Sequence, residues 1–211
     1  MKKIILVVIL LLNLLAKQNE KFIEAIYDNN NNIQKINQFI KNGIDINSYD
    51  EDGETPLIEA IDENNLEIIK ILLSNGADVN KPDMDGESPL MYAIENKNLS
   101  IVKFLVKKGA NLNAKFKKFS PLLKATFDND IKIVKFLIKA GADINITNSL
   151  GGNALMMACK NGNLELVKFL VKNGINIKAK NIFGGDALNV AKRHKHQNIV
   201  NYLEKVLEDT K

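Results

Sequence analysis

Tryptophan is absent from these 211 residues, cysteine occurs once, at Cys159, and histidine twice, at His194 and His196. A lone cysteine closes no internal disulfide, so the chain must hold itself together by packing. Aromatic residues make up only 6% while hydrophobic residues reach 45%. A real core is therefore available, and disorder is excluded as the main state. That core has to be aliphatic and finely divided, which suits a stack of small units better than one large globule. Strong charge of either sign is also missing: 29 basic residues against 25 acidic ones leave +4. Loss of residues 1–16, which carry only Lys2 and Lys3, would lower this to +2. Net charge thus points to no particular partner.

The one long apolar run lies at the N-terminus, where two lysines precede Ile4 to Leu15, interrupted only by Asn13 and followed by Ala16 and polar residues. This order is that of a secretory signal. As a helix the run reaches about 18 Å, short of the roughly 30 Å hydrocarbon core that a spanning helix crosses. Residues 1–16 are read as a signal peptide that directs export to a periplasmic, envelope-associated or secreted location. Leu14 occupies a position where a small residue is preferred, so an uncleaved anchor is the alternative, and it would be the only membrane contact. A cytoplasmic location would follow if 1–16 were instead an apolar cap helix.

Self-similarity at a fixed period decides the rest. The segments TPLIEA, SPLMYA, SPLLKA, NALMMA and DALNVA begin at Thr55, Ser88, Ser120, Asn153 and Asp186, at intervals of 33, 32, 33 and 33. A second marker, Gly before a small or apolar residue and then Asp or Asn, recurs at Gly43, Gly76, Gly109, Gly141 and Gly174. Between them stand apolar sets such as Leu66, Ile68, Ile69, Leu72 and Leu73, spaced for a helix buried on one face. Thr55 and Ser88 are placed to cap a first helix with Pro56 and Pro89 in its first turn, and each Gly to end a second helix. Each unit reads as helix, turn, helix, then an extended finger.

With its Asp50, Gly53, Thr55, Pro56, Leu57 and Ala60, matched by Asp83, Gly86, Ser88, Pro89, Leu90 and Ala93, the chain resembles the ankyrin-repeat family. The resemblance covers residues 20–207 and implies an all-α repeat solenoid of about six units, near 20–47, 48–80, 81–113, 114–145, 146–178 and 179–207, with β-hairpin-like fingers and a tail at 208–211. Three departures stand out. The family's histidine after the motif Leu is replaced by Ile58, Met91, Leu123, Met156 and Asn189, which predicts somewhat looser coupling between units, offset by apolar contact. Proline is lost at Ala154 and Ala187. The finger AKFKKFS before Ser120 is one residue short and lacks both the Asp and the Gly, so it cannot form its neighbours' hairpin.

The resemblance further implies a non-catalytic binding module or scaffold, a monomer that holds a protein partner in a groove of fingers and first helices. By position that groove is lined by Glu51, Asp52, Glu54, Met84, Asp85, Glu87, Phe116, Lys117, Lys118, Phe119, Leu150, Ile182 and Phe183. Eight acids and no base lie between Asp45 and Glu63, while four lysines and no acid lie from Lys115 to Lys124. The groove is expected to be acidic first and basic with apolar tips later, an arrangement that orients a partner. Phe116, Phe119, Leu150 and Phe183 would be its anchors, unless Phe116 and Phe119 tuck inward to fill the shortened finger.

No residue set suits catalysis or a cofactor. The two histidines are two apart at a helix exit and do not converge on a metal. Cys159 stands at a small-residue position with no histidine in its unit and reads as packing. DEDGE lacks the distal Glu of a calcium loop, and Gly151-Gly152 and Gly184-Gly185 lack the context of a phosphate loop. The rival reading is binding of nucleic acid or an anionic surface through residues 115–119, where lysines alternate with phenylalanines. Near-neutral charge and the export signal argue against it.

Overall fold

The computed structural model describes residues 2–27, 33–117 and 119–209, with the backbone alone at 2, 3, 11–13, 15 and 16. Its twelve helices come in six consecutive pairs: α1 Lys2–Tyr27 and α2 Ile33–Lys41, α3 Pro56–Asp62 and α4 Leu66–Ser74, α5 Pro89–Glu95 and α6 Leu99–Lys107, α7 Pro121–Phe127 and α8 Ile131–Lys139, α9 Ala154–Asn161 and α10 Leu164–Lys172, α11 Ala187–Arg193 and α12 Gln197–Glu208. First helices stack in the order α1, α3, α5, α7, α9, α11, each against the next and against its own second helix. The chain is an all-α repeat solenoid.

Short helices of seven residues need help at their ends, and here each has it. Thr55, Ser88 and Ser120 accept from the main-chain N–H of Ile58, Met91 and Leu123, with proline at the first position of α3, α5 and α7. Where proline is lost, Asn153 caps α9 and Asp186 with Asn189 forms a reciprocal capping box on α11. Second helices are capped by Asn65, Asn98, Asp130 and Asn163. The turn from α9 to α10 runs through Gly162 at φ 74°, where a Cβ would stand 2.6 Å from the His196 ring. The same turn in other units holds Asn64, Lys97, Asn129 and Lys195 at positive φ, and glycine takes that conformation without strain while leaving room for the ring.

The core is a continuous aliphatic seam. Leu57, Leu90, Leu122 and Leu155, with the partly buried Leu188 after them, follow one another in register on the first helices, as Ile69, Val102, Val134, Val167 and Val200 do on the second. Cys159 is wholly buried within it, and burial, with the nearby Asp186 charge, pushes its thiol up to about 12. It is a packing residue.

Apolar contact and hydrogen bonds both join the units. The motif histidine is indeed replaced by buried Ile58, Met91, Leu123 and Met156, but asparagines tie the units together instead. Asn47 and Asn80 each donate to a glycine carbonyl of the next unit, Gly76 and Gly109, and accept from Asp78 and Asn111 N–H at 2.8 Å. Asn113 and Asn145 accept likewise from Asp143 and Asn176. Further ladders join Asn96 to Ile61, Asn98 to Asn64, Asn161 to Thr126 and Asn163 to Asn129. Those from Asn47, Asn80, Asn96, Asn113, Asn145 and Asn161 satisfy main-chain carbonyls or N–H groups of a neighbouring unit, and Asn98 and Asn163 pair with side chains.

α1 divides in two. Phe22, Ala25 and Ile26 are buried against the stack, whereas Ile4 to Leu10 and Leu14 are exposed. The apolar run therefore does not serve as a cap covering the first unit. Among the described residues no helix is long and apolar enough to cross a membrane.

Candidate protein-interaction surface

Five fingers project between units, at residues 50–54, 83–87, 115–119, 148–152 and 181–185. In four of them the first side chain organises the loop: Asp50, Asp83, Asn148 and Asn181 accept from the main-chain N–H four residues on, at 2.7 to 3.0 Å. These form two joined pairs. Met84 N–H donates to the Gly53 carbonyl at 2.9 Å, and Ile182 N–H to the Leu150 carbonyl at 3.0 Å. Gly53 permits this approach, since a Cβ there would lie 2.9 Å from Met84 Cβ.

The third finger has Lys115 where its neighbours have the organising Asp or Asn. It closes instead by a direct exchange, Phe116 N–H to the Phe119 carbonyl and Phe119 N–H to the Phe116 carbonyl, both 2.9 Å, with Lys117 at φ 51°. Both rings are half-buried. Phe119 packs on Phe127 with centroids 5.2 Å apart, and Phe116 lies beside Gly86 under the Lys117 ammonium at 4.3 Å. The inward alternative therefore describes these two rings, and they are not exposed anchors. Lys118 lies outside the described residues.

The remaining predicted residues fall on the finger tips as expected from their positions. Glu51, Asp52, Asp85 and Lys117 are exposed. Met84 is 70% exposed, Phe183 77%, Ile182 63% and Leu150 47%. Glu54 and Glu87 instead lean onto the first helices and are half-buried.

Beneath the fingers the first helices carry a charge gradient that the repeat register makes explicit. The residue four after each capping residue is Glu59, Tyr92, Lys124, Met157 and Val190 in turn, and the residue seven after it is Asp62, Glu95, Phe127, Lys160 and Arg193. At the acidic end Tyr92 donates to Asp83 at 2.8 Å and lies 3.1 Å from Glu54. Glu59 is almost wholly buried, and burial among Glu54 and Asp50 pushes its carboxyl up to about 8, although a hydrogen bond from Tyr27 opposes the rise. Burial also pushes Glu87 up to about 7, with Glu95 and Asp83 adding repulsion. One Glu87 oxygen is buried with no hydrogen-bond partner among the described residues. These carboxyls are proton-rich for the same reason: water is excluded and neighbouring charges are negative.

A cleft of about 720 Å³ opens between α1 and the first finger, walled by Ile23, Tyr27 and Tyr49 and edged by Glu20, Glu24 and Asp50 to Asp52. In the middle of the face Lys124 pairs with Glu95 at 2.7 Å and Asp128 at 2.9 Å. Sequence reasoning missed Tyr27, Glu59, Tyr92 and Lys124 as one surface. Reading down the fixed register position would have found the last three.

His196 contacts the Lys160 carbonyl at 3.2 Å and the His194 ring stacks on it at 6.3 Å. Among the described residues no group of three or more His, Cys, Asp or Glu side chains could hold a metal.

A family model described as ankyrin repeats in three copies matches residues 22–116 and 122–209. No curated protein matches the chain significantly. Among solved structures, a chain in the complex of a predatory endopeptidase from Bdellovibrio bacteriovorus with an immunity protein is 32% identical, with a TM-score of 0.76. The match covers 87% of this chain and 96% of that one. Motif, fold and match agree: the chain belongs to the ankyrin-repeat family, whose units are protein-interaction modules.

Proposed function

We propose that this protein binds an endopeptidase along the face of its fingers and first helices and holds it inactive, as an immunity protein. The observation that carries this reading is the 32% identical repeat chain in an endopeptidase–immunity protein complex, matched over 96% of its length. We take that chain to be the immunity protein of the pair. The contact set is Glu51, Asp52, Glu54, Met84, Asp85, Glu87, Lys117, Leu150, Ile182 and Phe183, with Phe116 and Phe119 shaping the third finger. A surface acidic at one end and apolar with basic flanks at the other fixes which way round a partner docks. Binding needs no cofactor. Against the nucleic-acid rival stands the packing of Phe119 on Phe127 and of Phe116 under Lys117, which draws both half-buried rings toward the protein.

The test is affinity capture with the full chain, followed by assay of the recovered partner for peptide-bond hydrolysis before and after it is released. The expected result is a peptidase silent in the complex and active once freed. A partner without peptidase activity overturns the reading.

We propose in addition that residues 1–16 direct export and are removed. The exposed apolar half of α1 supports this, because a cut after Ala16 leaves the buried Phe22, Ala25 and Ile26 in place. Sequencing the mature N-terminus should give Lys17 in the exported fraction. An intact Met1 in a cytosolic protein would sink the proposal.

A further inference from the structure

The joined finger pairs, 50–54 with 83–87 and 148–152 with 181–185, leave the shortened third finger bonded to neither among the described residues, and one of the two gaps so left lies between it and the fourth finger. There a notch of about 160 Å³ is lined by Lys115, Lys117, Phe119, Ser120, Thr147, Asn148 and Ser149. We infer that this notch receives a carboxylate side chain of the protein partner, while the neighbouring apolar tips Leu150, Ile182 and Phe183 cover the apolar residues beside it. The inference rests on the proposed docking face and names the chemistry that one part of it recognises.

Four observations carry it. First, the notch adjoins the shortened finger: with Lys115 in place of the organising Asp or Asn, the finger folds back on itself at Phe116 and Phe119, and the notch opens between it and residues 147–149. Second, its lining is made of donors. Neither Lys115 nor Lys117 forms an ion pair among the described residues, and the Thr147 and Ser149 hydroxyls make no hydrogen bond there. Third, no carboxylate lines the notch. Glu87, which does not line the notch, lies within electrostatic reach of Lys117. Fourth, the volume equals roughly five water molecules at about 30 Å³ each, room for a carboxylate and its methylene stem. A carboxylate would accept from ammonium and hydroxyl together, and such charge-assisted bonds are about twice as strong as neutral ones. Leu150, which adjoins Ser149, and Phe183 beyond it stand exposed, so an acidic residue flanked by apolar ones fits where an isolated anion would use only half the surface.

The experiment is an NMR titration of the full chain with two synthetic peptides, N-acetyl-Gly-Phe-Glu-Leu-Gly-amide and its Gln counterpart. The Glu peptide should shift the amides of residues 115–120 and 147–151 in a saturable way and bind about threefold or more tighter than the Gln peptide. Lys115→Gln should weaken that preference, and Lys115→Glu with Lys117→Glu should abolish it while the helical circular dichroism stays unchanged. Equal binding of the two peptides, shifts confined to other fingers, or preferential binding of a ten-residue oligothymidylate at these amides would each overturn the inference. Because the titration reads the notch directly, its failure leaves peptidase binding along the rest of the face standing, and a partner that proves not to be a peptidase leaves the notch standing.

Discussion

The first two fingers and the last two share one backbone device and present opposite surfaces. Asp50 and Asp83 fold their loops as Asn148 and Asn181 do, and each pair is stitched by a single main-chain hydrogen bond. On the acidic pair, carboxylates crowd the first helices until Glu59 and Glu87 hold their protons near neutrality. On the other, Leu150, Ile182 and Phe183 stand in solvent. Shape along the stack is therefore set by a few conserved roles, a loop-folding acceptor and a glycine, and the residues between them are left to define what is bound. A solenoid permits this because each unit depends on its neighbours and not on a shared centre.

The largest expected effect breaks the comparison at the junction. Leu137 is wholly buried in α8, behind the third finger. Leu137→Ala should cost about 2–5 kcal/mol, because the removed methyl groups leave a cavity that the stack fills only in part. In a one-dimensional array that loss should split urea unfolding into two transitions, one for each half. Fluorescence probes placed in α3 and in α11 would report them, and coincident curves would show that the halves do not separate.

The second effect sharpens the acidic half. Glu59 rises from an ordinary 4.5 to about 8, and Glu87 to about 7. Between pH 4.5 and 8 the folded chain then binds more protons than the unfolded one, so stability is greatest at the acid end of that window and falls as pH rises through it. The urea midpoint should drop from pH 5 to pH 8.5, and Glu59→Gln, which stays neutral, should flatten the slope. A wild-type midpoint independent of pH would contradict the assignment.

The smallest effect tests the asparagine ladder. Asn80→Ala removes the bonds to Gly109 and Asn111 and should cost about 1 kcal/mol, read as a midpoint shift. A loss of that size where the family's histidine is missing would identify asparagine as the substitute coupling.

Much of the fold was legible because the repeat writes each role at a fixed interval. Thr55, Ser88 and Ser120 cap helices in the structure as their spacing to proline required, and the post-helix glycines take positive φ. The finger tips Met84, Leu150, Ile182 and Phe183 were legible for the same reason. Phe116 and Phe119 were not: their outward position follows from register, but a shortened loop changes where side chains point, and burial against Phe127 and Gly86 is a contact that no local pattern encodes. The ladder was half legible, since Asn47, Asn80, Asn113 and Asn145 recur at one register position, yet which carbonyl or N–H each meets depends on how closely units stack.

By itself the sequence determined the helix pairs, their caps, the period and the order of charge along the chain. Those features depend on residues close together in the chain or on a repeat that counts them. Only the tertiary structure decided that Glu54, Asp50 and Tyr27 gather around the buried Glu59, that Lys124 is held between Glu95 and Asp128, and that a donor-lined notch opens beside the short finger. Burial, desolvation and empty space arise between units, and they exist only once the units are stacked.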